Sequence, residues 1–161
     1  MQPPIIRPIE EKDNTPMAAV IRTVLESFDA PKEGTAYADT SLENLYDAYS
    51  TERAVYFVVE ENGKIIGGAG IAPLAGGDEN TCELQKMYYL PEARNRGIGT
   101  TMIKRCLVKA RELGYEKCYL ETMPNMTAAQ KLYAKNGFEY LDGPMGNTGH
   151  HACQVQMLLQ L

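Results

Sequence analysis

The sequence contains no apolar run approaching the roughly 20 residues that a membrane-spanning helix needs. Its opening residues, Met1-Gln2-Pro3-Pro4, form neither a charged n-region nor an apolar h-region, so a cytoplasmic protein with no membrane partner is expected. A basic excess is also missing. Net charge is -5, which argues against a general nucleic-acid-binding surface and leans toward a cationic substrate such as an amine. None of the four cysteines, Cys82, Cys106, Cys118 and Cys153, belongs to a C-x-x-C pair, and each lies in an apolar or strand-like context. Buried free thiols in a reducing compartment are expected in preference to disulfides. His150, His151 and Cys153 are close in sequence, but three candidate ligands without a C-x-x-C pair read as a polar turn, not as a metal site. One of the histidines could instead line a substrate cleft.

What is present suits an ordinary globular chain. The 161 residues are 44% hydrophobic and 23% charged, enough for one domain over residues 1–161 with a real core. Ile5 to Ile9 reads as a short first strand, with Pro8 marking an edge or an end. Asp13-Asn14-Thr15-Pro16 supplies capping candidates and a first-turn proline, and Met17, Val20, Ile21, Val24, Leu25 and Phe28 follow at helical spacing. A loop from Asp29 to Thr40 leads to Leu42, Leu45, Tyr46 and Tyr49, whose spacing predicts a second helix started by Ser41 or Asn44. This helix–loop–helix is placed to act as a lid. Ala54–Glu60, Lys64 to about Ala72 and Thr81–Leu90 then read as a three-strand meander, its first turn marked by Asn62-Gly63.

A helix from the glycines at 97 and 99 to about Leu113, stopped by Gly114, is followed by a strand at Glu116–Thr122. Strand, helix and strand of this length imply a right-handed parallel crossover. Thr127-Ala128-Ala129-Gln130 matches a capping box and predicts a helix to Asn136, ended by Gly137. Phe138–Tyr140 and Gln154–Leu159 supply two closing strands. The expected fold class is α/β (α+β), with a mixed sheet and no internal repeats.

The most pointed stretch is Arg94-Asn95-Arg96-Gly97-Ile98-Gly99, a basic glycine turn between a strand and a helix N-terminus. The first amides of a helix lack intrahelical partners and carry partial positive charge, glycines admit a ligand close to the backbone, and arginines add fixed charge. The turn reads as a cradle for a phosphate or pyrophosphate. It is not a Walker loop, because no lysine follows the glycines. Nor is it a dinucleotide fingerprint, because Met102 stands where the third glycine would be.

The run from Leu84 through Met87-Tyr88-Tyr89 to Gly99 resembles the acetyl-CoA-binding motif of the Gcn5-related N-acetyltransferases (GNAT). The later Ala128-x-x-x-Leu132-Tyr133-x-x-x-Gly137-Phe138 is similar to the second motif of that family, in the same order and at the same spacing. The resemblance implies a mostly antiparallel mixed sheet with a splayed central strand pair, flanked by about four helices. It implies direct acetyl transfer from acetyl-CoA to a primary amine, without a metal. Arg94, Asn95, Arg96, Gly97, Ile98, Gly99 and Thr100 would hold the pyrophosphate, and the backbone of Met87, Tyr88 and Tyr89 the pantetheine arm, aided by Asn125 and Ala128. Tyr133 would donate a proton to the leaving thiolate. Asn125 also reads as an ordinary turn residue, and Tyr133 as a packed aromatic.

Glu83 stands eleven residues ahead of Arg94, an offset like that of the family's catalytic glutamate. Strict alternation would put Glu83, Gln85, Met87 and Tyr89 on one strand face, provided no bulge intervenes, so Glu83 would point into the cofactor cleft as the base. A solvated strand carboxylate is the plainer alternative. Phe28 and Tyr37 are candidate acceptor contacts. The compact length favours a small amine or amino-acid-like acceptor over a protein amine, in a monomer or homodimer. An acyl-CoA-binding regulatory module without turnover, and a protein that binds ATP or NAD at the helix N-terminus, are the competing readings.

Overall fold

The computed structural model describes residues 2–161, so Met1 of the N-terminal expectation lies outside the described residues. The chain runs β1 (Ile5–Pro8), α1 (Asn14–Ser27), α2 (Leu45–Ala48), β2 (Val55–Glu61), β3 (Lys64–Pro73), β4 (Thr81–Tyr89), α3 (Ile98–Glu112), β5 (Lys117–Thr122), α4 (Thr127–Lys135), β6 (Glu139–Tyr140) and β7 (Val155–Gln160). All seven strands join one sheet in the order β1-β2-β3-β4-β5-β7-β6. Asn62 and Gly63, with φ of 51° and 81°, turn β2 into β3; paired positive φ values match the right-handed twist of a hairpin. Only β4 and β5 are parallel, joined by the α3 crossover.

That parallel pair shapes the molecule. Thr81, Cys82 and Glu83 of β4 face Lys117, Cys118 and Tyr119 of β5, and the pairing stops there. β5 continues alongside β7 as far as Thr122, while β4 continues alongside β3 to Tyr89. The two central strands therefore fork beyond Glu83 and Tyr119.

One helical layer covers each sheet face. Met17, Val20, Ile21, Val24 and Leu25 of α1, at the expected spacing, are buried with Leu45 of α2, Tyr56 and Val58 of β2, and Met123. On the other face Met102, Ile103, Cys106, Leu107 and Ala110 of α3 pack on Cys82, Leu84, Cys118 and Leu120, joined by Tyr133 and Phe138. All four cysteines are buried free thiols. Gly114 (φ 87°) ends α3 in the left-handed conformation that the sequence suggests.

Three local expectations fail. The second helix is reduced to a 3-10 turn at Leu42–Asn44 and a single α turn in α2. Asn14 accepts a hydrogen bond from the Tyr46 amide at 2.8 Å, so a side chain of α1 takes the place of a helical carbonyl partner. The capping box at Thr127 does not form, because Gln130 donates instead to the carbonyls of Met123 (3.0 Å) and Pro124 (3.3 Å).

The third failure matters for function. Gly68 pairs with Tyr88 but Gly70 pairs with Gln85, so β4 carries one extra residue there, and Lys86 takes φ 49°. This bulge resets the alternation. Cys82, Leu84, Met87 and Tyr89 belong to the α3 side, whereas Gln85 reaches Tyr49 on the α1 side and Tyr88 packs there. Glu83 is thus not on the face of Met87 and Tyr89.

Candidate active site

The basic turn begins after a 3-10 segment at Pro91–Ala93. Asn95 (φ 60°) and Gly97 (φ 78°) both adopt left-handed backbone, and the first helical bond runs from the Thr101 amide to the Gly97 carbonyl at 3.1 Å. The amides of Ile98, Gly99 and Thr100 precede that bond and lack helical carbonyl partners. Gly99 admits no side chain easily: a β-carbon there would stand 2.7 Å from Leu132 Cδ2. A side chain at this position would press on Leu132, which must then shift.

A cavity of about 510 Å³ opens at this turn and enters the fork. Met87, Tyr88 and Tyr89 line one wall, Met126, Ala128, Ala129, Leu132 and Tyr133 the other, and Arg94, Asn95, Gly97, Gly99 and Thr100 one end. Val24 and Phe28 of the α1 layer also line it. A second groove, of about 530 Å³ between α1 and the β2–β3 hairpin, shares none of the basic turn.

Three residues singled out as cofactor contacts are absent from the cavity lining. Arg96 pairs with Glu61 and donates to the Glu92 carbonyl at 3.0 Å. Ile98 is buried in the α3 core. Asn125 is also absent from the lining; it donates to the Phe28 carbonyl at 2.9 Å and so ties α4's approach to the end of α1. Arg94, by contrast, lines the cavity, donating to the Tyr89 carbonyl at 2.8 and 3.1 Å with its guanidinium 5.8 Å from the Phe28 ring centroid. Lys135, in the last turn of α4, lines the cavity as well and was not foreseen. No motif marks it; only the packing of α4 against α3 brings it there.

This division predicts unequal effects for the two arginines. Arg94→Ala is expected to raise the acetyl-CoA KM about tenfold, the cost of one charge-assisted contact. Arg96→Ala should raise it less than about threefold, since an exposed ion pair contributes little. Initial rates against acetyl-CoA concentration measure both, and equal effects would refute the assignment.

Tyr133 is buried among Phe138, at 6.0 Å between ring centroids, and the α3 core, and its ring also lines the cavity. Burial, with the nearby Cys153, pushes its pKa above the usual tyrosine range, so it stays protonated at neutral pH.

Glu83 lies at the base of the fork on the α1 side and is 6% exposed. Burial, reinforced by the charge of Glu121, pushes its pKa up to about 7; the Gln85 hydrogen bond at 2.7 Å, His150 and Lys86 oppose that rise. Tyr49 in turn donates to Gln85 at 2.5 Å. Glu121 accepts hydrogen bonds from Tyr119 and Thr148, which secures the loop between β6 and β7. His150 is 2.7 Å from Asp39, whereas the His151 ring lies over Gly34, so the two histidines reach the α1–α2 loop at different points. Tyr37 hydrogen-bonds Glu26 at 3.0 Å and is absent from the cavity lining. Among the described residues no cluster is placed to hold a metal ion, and no helix is long and apolar enough to cross a membrane.

The sequence profile of the acetyltransferase (GNAT) family matches residues 19–138. The chain is 42% identical over 161 residues to the uncharacterized N-acetyltransferase YjgM of Escherichia coli (strain K12), covering 99% of this chain and 96% of that one. It therefore belongs to the GNAT family. In fold it is similar to a GNAT-family acetyltransferase from Staphylococcus aureus Mu50, with TM-score 0.84, 20% identity and 99% of both chains covered. It is also similar to yncA of Salmonella typhimurium, with TM-score 0.76, 21% identity, and 99% of this chain and 95% of that one covered.

Proposed function

We propose that this chain transfers an acetyl group from acetyl-CoA to a primary amine by direct attack. The observation that carries this reading is the single cavity joining the α3 N-terminal turn to Tyr133 along the unpaired edge of β4. One long substrate can place an anion at the turn and a thioester beside the tyrosine. The yncA structure, whose fold this chain shares, is described with its cofactor acetyl-CoA.

In this reading Arg94 and the amides of Gly97 to Thr100 hold the pyrophosphate, with Asn95 and Lys135 at the same end. The extended arm adds to the free edge at Met87, Tyr88 and Tyr89 as a further strand would. A backbone amide of this edge polarises the thioester carbonyl. Glu83, directly or through water, takes a proton from the ammonium; the amine lone pair then forms the C–N bond at the carbonyl carbon. As the C–S bond breaks, Tyr133 protonates the departing thiolate, and the remaining excess proton on the new amide nitrogen returns the phenolate to phenol. The acceptor is a small amine or amino-acid-like metabolite entering from the α1 side. That side carries Glu83 and Glu121, and among the described residues neither forms an ion pair.

Free-thiol release from acetyl-CoA, measured across amines, amino acids, polyamines and peptides, tests the proposal. Turnover with a small amine is the expected result. Preference for peptides would move the acceptor to protein amines. Coenzyme A binding with no thiol release would make the chain a non-catalytic acyl-CoA sensor, and binding of ATP or NAD as tight as coenzyme A would discard the reading.

A further inference from the structure

The β4 bulge is built on a residue poorly suited to it. Lys86 holds φ 49°, a region that a β-carbon disfavours and that glycine or asparagine ordinarily supplies. Beyond Glu83 the strand has no β5 partner, so a second ladder does not restrain it. Two other contacts do. The Tyr56 hydroxyl donates to the Lys86 carbonyl at 2.7 Å, its ring lying so close over Gly68 and Gly70 that β-carbons there would fall 2.7 and 2.6 Å from it. From the side-chain end, Lys86, its side chain 8% exposed, places its ammonium 2.8 Å from Asp39 Oδ2. The other oxygen of Asp39 is 2.7 Å from His150 Nε2. Asp39 belongs to the α1–α2 loop, just past the 3-10 turn Ala36–Ala38, and His150 to the β6–β7 loop. One carboxylate thus ties two loops to the strained residue of the strand.

We propose that Asp39 is a positioning residue for acetyl transfer, acting through Lys86 to hold the bulge that aims the β4 edge at the thioester. The proposal rests on the acetyl-transfer reading above. Its logic is geometric: the bulge alone decides which of Met87 and Tyr88 faces the α1 side, and Lys86 immediately precedes both. Removing the carboxylate leaves a nearly buried ammonium without its counter-charge, and the lysine can regain a counter-charge or water by abandoning the left-handed conformation. The backbone that polarises the thioester carbonyl then shifts, while the amides of the pyrophosphate turn, held at the start of α3, stay in place.

Asp39→Asn is expected to lower kcat about tenfold, the order expected of a sub-ångström displacement, with the acetyl-CoA KM changed less than about threefold. Amide resonances of Met87 and Tyr88 should shift in two-dimensional NMR spectra. Glycine adopts the left-handed form without a tether. In the Lys86→Gly background, Asp39→Asn should therefore cost less than about threefold and leave those resonances in place. If Asp39 merely staples the loops together, the double variant will lose the same tenfold as D39N, and the proposal fails. It fails equally if D39N stays within about twofold of the unaltered protein. Should D39N not fold, the double variant decides: folded and active supports the tether, unfolded overturns it. If the unaltered protein shows no acetyl-CoA turnover, the functional reading falls, and the resonances alone still test the bulge.

Discussion

Tyr133→Phe is expected to lower kcat about a hundredfold, the contribution of one positioned general acid. The substitution is unusually clean. The phenyl ring keeps its packing against Phe138 and the α3 core. Melting temperature and acetyl-CoA KM should therefore stay near those of the unaltered protein. Burial raises the phenol's pKa, so the acid is fully protonated throughout the neutral range and imposes no descending limb there. Steady-state thiol release measures the effect. Unchanged kcat would remove Tyr133 as the acid and leave it a packing residue that happens to line the cavity.

The second large effect is expected at Glu83. With its pKa at about 7, this carboxyl is half ionised near neutrality, and if it is the base, as proposed, kcat/KM should climb with pH to a plateau above about pH 8. Glu83→Gln should lose about a hundredfold at the plateau and lose that inflection. An amide oxygen at position 83 can still accept from Gln85, so the local geometry survives. Stability should move the opposite way. The folded-state pKa is raised above the unfolded value, so the folded state binds more protons between about pH 4.5 and 7. Native stability therefore falls as pH rises through this window, by an amount on the order of 3 kcal/mol at most. Glu83→Gln lacks that loss and should gain stability relative to the unaltered protein between pH 5 and pH 8. Denaturant midpoints at the two pH values check the sign. An unaltered rate inflection in the variant would place the base elsewhere.

The unequal success of the sequence reading has a physical basis in particular residues. Tyr133 and the glycine turn were legible because short-range motifs carry them: a helix N-terminus needs its glycines within a few residues, and α4 fixes Tyr133 relative to Gly137. Arg96 looked equivalent to Arg94 in sequence. Its capture by Glu61 depends on the end of β2 lying beside the turn, a contact between residues 35 apart. Lys135 escaped notice because a lone cation at a helix end is ordinary until α4 packs next to α3. Phe28, expected as an acceptor contact, lines the cavity, and its carbonyl accepts from an unexpected partner, Asn125, 97 residues away.

By itself the sequence determined the fold class, the order of strands and helices, the hairpin at Asn62-Gly63, the glycine turn that opens α3 and the helix that carries Tyr133. These depend on periodicity, turn chemistry and local motifs, which are readable over a few residues. Tertiary structure alone decided the phase of β4. Whether the strand bulges at Lys86 depends on Tyr56 crossing two glycines of β3 and on Asp39 arriving from a distant loop. Side-chain alternation has period two, so one inserted residue moves every following side chain to the opposite face. That single insertion puts Glu83 on the α1 side and Met87 on the α3 side of the fork, and no local pattern in the strand announces it.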